Sequence, residues 1–290
     1  MPGRHVARDI SYAYSAQTRG GRAMIRLMEN ATGRLGLIKR AEGYETEVAA
    51  GRDFWQVMVE RYGLSLDVIG GQLDNLPKDG PLIVIANHPY GILDGLIMGH
   101  ILSVVRGDFR ILANSVFRRA EELNRVVLPV SFDETREAMQ QNLETRKEAL
   151  RYLGQGGCIG IFPGGTVATA AKLFGHPLDP GWRSFTARMI AKSGASVVPL
   201  YFDGHTSRLF QLASHLHVTL RMGLLIKEFK KRVDTPVRVV VGEPIDDAEI
   251  QARAKDGRAM MDFLRRSTYD LSPVPLPRDY GYEFEERRKT

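Results

Sequence analysis

The segment Asn87-His88-Pro89-Tyr90-Gly91-Ile92-Leu93-Asp94-Gly95 holds the residue types that can move a proton. A carboxylate at the start of a helix can accept one imidazole N–H, fix the tautomer and leave the other ring nitrogen basic. Gly91 can take backbone angles that other residues resist, and so can fold the loop back to bring His88 and Asp94 together. The plainer alternative makes His88 a capping residue and Asp94 a charge at a helix N-terminus. A second segment, Phe162-Pro163-Gly164-Gly165-Thr166, sets small residues in a row, which lets backbone N–H groups converge on an anion. Thr166 adds a hydroxyl donor there. A simple tight turn fits the same glycines.

Both segments follow short apolar runs that read as buried strands. Residues 82–86 (Leu-Ile-Val-Ile-Ala) are bounded by turn signals, as a strand covered on both faces would be. A helix is expected over 92–105. The alternation continues with a strand at 109–113, a short helix at 117–124, a strand at 126–130 and a long helix over 134–153. A strand at 158–162, a helix at 184–193, strands at 196–202 and 237–241, and one helix over 247–267 complete the series. Strands alternating with helices predict an α/β fold, a mostly parallel mixed sheet flanked by helices, preceded by an N-terminal amphipathic helical region. Groups for ligands and catalysis gather beyond the carboxyl ends of strands in such sheets, where His88 falls. The expected organisation is a basic, membrane-associating helical region over 1–70, an α/β domain over 71–270 and a loose tail over 271–290.

The net charge of +6 lies wholly in the first 40 residues, where eight Arg and Lys face Asp9 and Glu29. Residues 41–290 therefore sum to zero. A basic arm ahead of a neutral body suits anionic lipid headgroups or nucleic acid, and equally a solvated leader. Met24, Ile25, Leu27 and Met28, then Leu35, Leu37 and Ile38, read as one or two amphipathic helices interrupted at Gly33 and Gly36. Another helix is expected over 53–62. Such helices lie in a membrane interface or cover a core. Lys227, Lys230, Lys231 and Arg232 follow the mostly apolar 220–226, a second membrane contact or an ordinary covering segment. No run of about 18–20 apolar residues marks a membrane-spanning helix. The lone Cys158 cannot form an internal bridge and reads as a packed small apolar group. There is no Gly-x-Ser-x-Gly elbow, phosphate loop, dinucleotide fingerprint or clustered histidine metal site.

Taken together and in order, the motifs resemble the lysophospholipid/glycerolipid acyltransferase superfamily. Its first motif is Asn-His, four residues and Asp, and its third is Phe-Pro-Glu-Gly-Thr-Arg. Asn87-His88 with Asp94 resembles the first, and Phe162-Pro163-Gly164-Gly165-Thr166 the third. Asn114-Ser115-Val116-Phe117-Arg118-Arg119 holds the place of the second, and Val197-Val198-Pro199-Leu200 that of the fourth. The likeness runs from about residue 82 to 245. Five residues rather than four separate His88 from Asp94. Pro89-Tyr90-Gly91 is also similar to the His-Pro-His-Gly motif of the diacylglycerol acyltransferase branch. Gly164 replaces the usual Glu, and Val167 the Arg associated with phosphate binding. Trp182, Phe185, Ala187-Arg188 and Phe202-Asp203-Gly204-His205 look most like a bacterial branch that acylates lyso-lipids, lyso-ornithine lipid among them.

The resemblance implies an O-acyltransferase. His88 would deprotonate an acceptor hydroxyl as it attacks an acyl thioester of CoA or acyl carrier protein, and Asp94 would orient His88. Asn87, Tyr90, Gly91, Gly164, Gly165 and Thr166 are the expected substrate-binding residues. Arg118 and Arg119 are expected to pair with an acidic headgroup or carrier phosphate, or else to be solvated. Neither metal nor bound cofactor is implied, the thioester being a co-substrate. The expected partners are membrane lipids and the thioester carrier rather than nucleic acid, at the cytoplasmic face of the inner membrane, peripherally bound. A non-catalytic lipid-binding protein on the same scaffold is the alternative, favoured by the missing Glu and Arg.

Overall fold

Strands apolar on both faces must be covered from both sides, and three largely apolar strands of this chain lie inside its sheet. In the computed structural model, which describes residues 11–16, 18–114, 121–131 and 135–284, these are Leu82–Ala86 (β2), Cys158–Ile161 (β5) and Ser196–Phe202 (β6). With Ser65–Gly70 (β1), Arg110–Asn114 (β3), Val127–Val130 (β4) and Pro236–Val241 (β7) they form a seven-stranded sheet in the order β1-β7-β6-β2-β5-β3-β4. Every neighbouring pair is parallel except β6 and β7. The mostly parallel mixed sheet expected from the alternation is therefore present.

Successive side chains of a strand point to opposite faces, and the core divides accordingly. Leu82, Val84 and Ala86 join Val198, Leu200 and Phe202 against Phe54–Arg61 (α4) and Ile92–Arg106 (α5). Ile83, Ile85, Ile159 and Ile161 pack on the other face, against Arg136–Gly154 (α7), Ser184–Ser193 (α8) and Gly257–Tyr269 (α12). Gly99 lets α5 approach closely, since a Cβ there would lie 2.2 Å from the Trp55 ring. A third apolar cluster, Val167, Phe210, Ala213, Leu224 and Leu225, lies under Tyr12 and Met28 of the N-terminal segment.

The N-terminal helices are Arg19–Thr32 (α1), Arg34–Ala41 (α2) and Tyr44–Ala49 (α3). The interruption falls at Gly33 (φ 129°) alone, and Gly36 lies within α2. α1 packs on Val218–Lys230 (α10) and is pinned by the buried Glu29, whose carboxylate accepts from Ser11 Oγ at 2.6 Å and Tyr12 N at 2.7 Å. Of the expected helix at 117–124, residues 121–124 (α6, Glu121–Asn124) are helical and 115–120 lie outside the described residues.

Three features differ from expectation. The single helix expected over 247–267 is two, Asp247–Ala252 (α11) and α12, because the Asp256 side chain accepts from Arg258 N and Ala259 N and starts a new helix. Residues 207–231 form a helix pair, Arg208–Leu216 (α9) and α10, with Ser207 and His217 capping them. The tail, expected to be loose, is tied to the body: Gly281 N donates to Asp179 O at 2.8 Å and Tyr282 N to Thr169 O at 2.9 Å. Among the described residues no helix is long and apolar enough to cross a membrane.

Candidate active site

β2 ends at Ala86, and the next residues turn over the carboxyl edge of the sheet. Both hydrogen-bonding groups of Asn87 are used on β6: Nδ2 donates to Phe202 O at 3.0 Å, and Oδ1 accepts from Phe202 N at 2.7 Å. The loop is thereby fastened to the neighbouring strand. His88 follows at the sheet edge, its side chain 18% exposed, with Nδ1 3.0 Å from Oδ2 of the fully buried Asp94. The surplus residue is absorbed at Gly91, whose φ of 80° and ψ of −119° suit a residue without Cβ. That turn aims two further donors at the carboxylate, Tyr90 N at 2.7 Å and Gly91 N at 3.0 Å, both on Oδ2.

The imidazole N–H does not point along the line to Oδ2, and Oδ1 of Asp94 has no hydrogen-bond partner among the described residues. Burial pushes the Asp94 carboxyl above the usual carboxylate range, and the neighbouring His88 ring opposes that shift. The ring is stacked on Phe162, with centroids 4.5 Å apart, and with Nδ1 facing Asp94 the nitrogen left over is Nε2.

The backbone of His88 is held as firmly as its ring. Its carbonyl accepts from Ala168 N at 2.8 Å, and its N–H donates to Asp179 Oδ1 at 3.2 Å. Asp179 is buried, accepts from Trp182 Nε1 at 2.9 Å, and is raised in pKa by burial. Its carboxylate lies against Gly164, the position where the family motif carries Glu.

The expected substrate-binding residues divide in three ways. Asn87 and Tyr90 are buried and anchor the loop: Tyr90 Oη donates to Asp203 O at 3.2 Å and accepts from Arg232, whose guanidinium lies 4.3 Å over the ring. Gly91 shapes the turn. The Gly164-Gly165 pair is a turn as well, since Gly165 N donates to Phe162 O at 3.0 Å and that N–H is lost to an anion cradle. Thr166 is reached from behind, its Oγ1 accepting from Arg221 Nη2 at 3.0 Å, so its own proton remains to donate. Arg118 and Arg119 lie outside the described residues.

Sequence reasoning missed Arg221, Asp179 and Tyr12. Arg221 is buried between Phe210 and Phe284 and donates to Thr166 Oγ1, Val167 O, Thr169 Oγ1 and Ser214 Oγ. Burial lowers it to about 9, so it is charged at neutral pH. It secures the loop in which Val167 stands in place of the motif's Arg. The Tyr12 hydroxyl sits 3.1 Å from where a Cβ on Gly91 would be, beside Val167. Only contacts between remote segments bring these groups in, and no local spacing announces them.

A family model described as acyltransferase matches residues 45–274. The chain belongs to the acyltransferase family, as its four ordered motifs lead one to expect. It is 24% identical over 202 residues to a lyso-glycine lipid O-acyltransferase of Phocaeicola vulgatus, covering 67% of this chain and 69% of that protein. It is likewise 24% identical over 209 residues to a lyso-glycine lipid O-acyltransferase of Bacteroides thetaiotaomicron, covering 69% and 73%. Among solved structures, the 1-acyl-sn-glycerophosphate acyltransferase PlsC of Thermotoga maritima aligns with a TM-score of 0.48 and 16% identity, over 88% of this chain and 98% of that one.

Proposed function

We propose that this protein transfers a fatty acyl group from a thioester of CoA or acyl carrier protein to a hydroxyl of a lyso-lipid. His88 Nε2 takes the hydroxyl proton as the oxygen attacks the thioester carbonyl. The C–S bond then breaks, and the imidazolium returns the proton to the leaving thiolate. Asp94 orients the ring and stabilises its charged form, as a buried carboxylate does in acyl-transfer triads. The Thr166 hydroxyl donates to the acceptor headgroup or to the developing oxyanion.

The observation that carries this reading is the 3.0 Å contact of His88 Nδ1 with buried Asp94, on a loop beyond the carboxyl edge of β2. The names of the relatives favour lyso-glycine lipid as the acceptor, and the resemblance of the motifs adds lyso-ornithine lipid as a second amino-acid lipid. The enzyme works at the cytoplasmic face of the inner membrane, where its basic N-terminal region meets anionic lipid. The test is incubation of the purified protein with acyl-CoA or acyl carrier protein thioester and each lyso-lipid, followed by mass spectrometry of the lipid products. Formation of a diacylated product supports the reading. Lipid binding without thiol release would leave a non-catalytic lipid-binding protein.

A further inference from the structure

The segment after the glycine loop and the start of α9 line a half-open cavity of about 350 Å³, with neither His88 nor Asp94 in its wall. Its polar wall carries His176, His205 and Arg208, and its apolar wall Leu173 and Phe174. The volume is in the range of small-ligand sites. Phe174 is 92% exposed, and Leu173 is half-exposed beside it.

A row of apolar residues continues from this rim. Leu209, Leu212 and Leu216 are exposed on α9, at spacings of three and four that put them on one face of the helix. Val218, exposed at the start of α10, extends the row. The opposite face of α9 is already used, with Phe210, Ala213 and Ser214 buried. Single exposed apolar residues need no explanation, but a stripe about two turns long beside a phenylalanine on a pocket rim does.

The two stretches that build the cavity and the stripe carry charge of one sign. No Asp or Glu occurs between Glu148 and Asp179, or between Asp203 and Glu228, the two stretches that build the cavity and the stripe. Lys172 and Arg208 are both exposed at this surface. Apolar residues flanked by Lys172 and Arg208 match the interface of an anionic bilayer. An acidic carrier protein would call for a denser basic patch, and a second copy of the chain for compensating acids.

The floor of the cavity is tied to the catalytic loop. Gln211 accepts from Ala170 N at 2.9 Å and donates to Thr206 Oγ1 at 2.6 Å, and Ala168 in the same segment bonds the carbonyl of His88. A lipid held there would be presented to that loop.

We infer that the cavity lined by His176, His205 and Arg208 receives the anionic headgroup of a membrane lipid, while Phe174 and the Leu209–Leu212–Leu216 stripe sit in the bilayer. This rests on the reading of the acceptor as a membrane lipid, and it names a docking surface distinct from the basic N-terminal arm. The experiment is co-sedimentation of the full chain with phosphatidylcholine vesicles and with vesicles that also contain phosphatidylglycerol. It needs no turnover, so it fails or succeeds independently of the catalytic reading. Phe174→Ser with Leu212→Ser removes two exposed side chains, and thermal unfolding confirms that the fold persists. That double variant is expected to bind both vesicle types at least roughly tenfold more weakly. Arg208→Gln is expected to keep binding to neutral vesicles and to lose about fivefold on anionic ones, the value of one interfacial cation. Wild-type binding by the folded double variant would overturn the inference. So would a surface that mediates self-association in light scattering, or that holds acidic carrier protein while ignoring vesicles.

Discussion

The carboxylate of Asp179 occupies the space into which a side chain on Gly164 would grow: a Cβ there would lie 3.2 Å from Asp179 Cγ and 3.3 Å from Oδ2. A carboxylate fifteen positions later thus lies against the glycine loop in which the family motif carries its acid, and it accepts from the N–H of His88. Gly164→Glu should therefore put two carboxylates in one space, lowering stability by roughly 1–3 kcal/mol through overpacking alone and reducing activity. Asp179→Gly combined with Gly164→Glu should recover part of both losses. A thermal-unfolding and activity cycle over the four proteins measures the coupling, and strict additivity would show that the two positions do not share this role.

Asp94 is a carboxylate whose burial disfavours its charged form. Burial raises its folded-state pKa above the ordinary Asp value, so its contribution to stability is fullest below the unfolded pKa and is lost as pH rises through the folded one. Asp94→Asn should accordingly be as stable as wild type at neutral pH, or more so. The difference should shift in favour of wild type as pH falls towards the carboxylate range. Its acyl transfer should fall by roughly 10²–10⁴-fold, because the amide no longer stabilises the imidazolium. Paired melting curves across pH, with rates at neutral pH, check both statements.

Gly91→Ala tests the turn that absorbs the surplus residue. An added methyl meets Tyr12 Oη at 3.1 Å and Val167 Cγ2 at 3.2 Å, on a backbone with φ of 80°. Strain of roughly 1–3 kcal/mol is expected. If it displaces His88 by about 1 Å, the rate falls on the order of 10²-fold. Melting temperature and kcat read the two effects separately.

Cys158 lies in the middle of the sheet, fully buried, and burial pushes its thiol up to about 12. Native protein should resist alkylation by iodoacetamide at pH 8 and keep full activity, with modification appearing only as denaturant unfolds it. Rapid alkylation with loss of turnover would assign the thiol a part in the chemistry.

The strands that carry the site were legible because they are unbroken apolar runs: residues 82–86 and 196–202 coincide with β2 and β6. β1 was not, because Asp67 interrupts its apolar residues and it is a partly exposed edge strand, free of the need to be apolar throughout. The break between α11 and α12 was signalled by Asp256-Gly257, an N-cap pair inside an otherwise periodic stretch. His88, Gly91 and Asp94 are adjacent in sequence, and a local turn is enough to bring them together. Asp179, Arg221 and Tyr12 reach the site from 91, 133 and 76 positions away from His88, through contacts that only the assembled sheet and helix pair create. For the same reason Asn87 and Tyr90 were read as ligand contacts, whereas their polar groups are consumed by Phe202, Asp203 and Arg232.

The most direct measurement is acyl transfer from a thioester to a lyso-lipid by wild-type protein and by His88→Ala, with folding matched by circular dichroism and melting temperature. Removal of the proposed general base should lower kcat by at least roughly 10²–10⁴-fold while vesicle binding is retained. Undiminished turnover by a correctly folded His88→Ala protein would contradict the account.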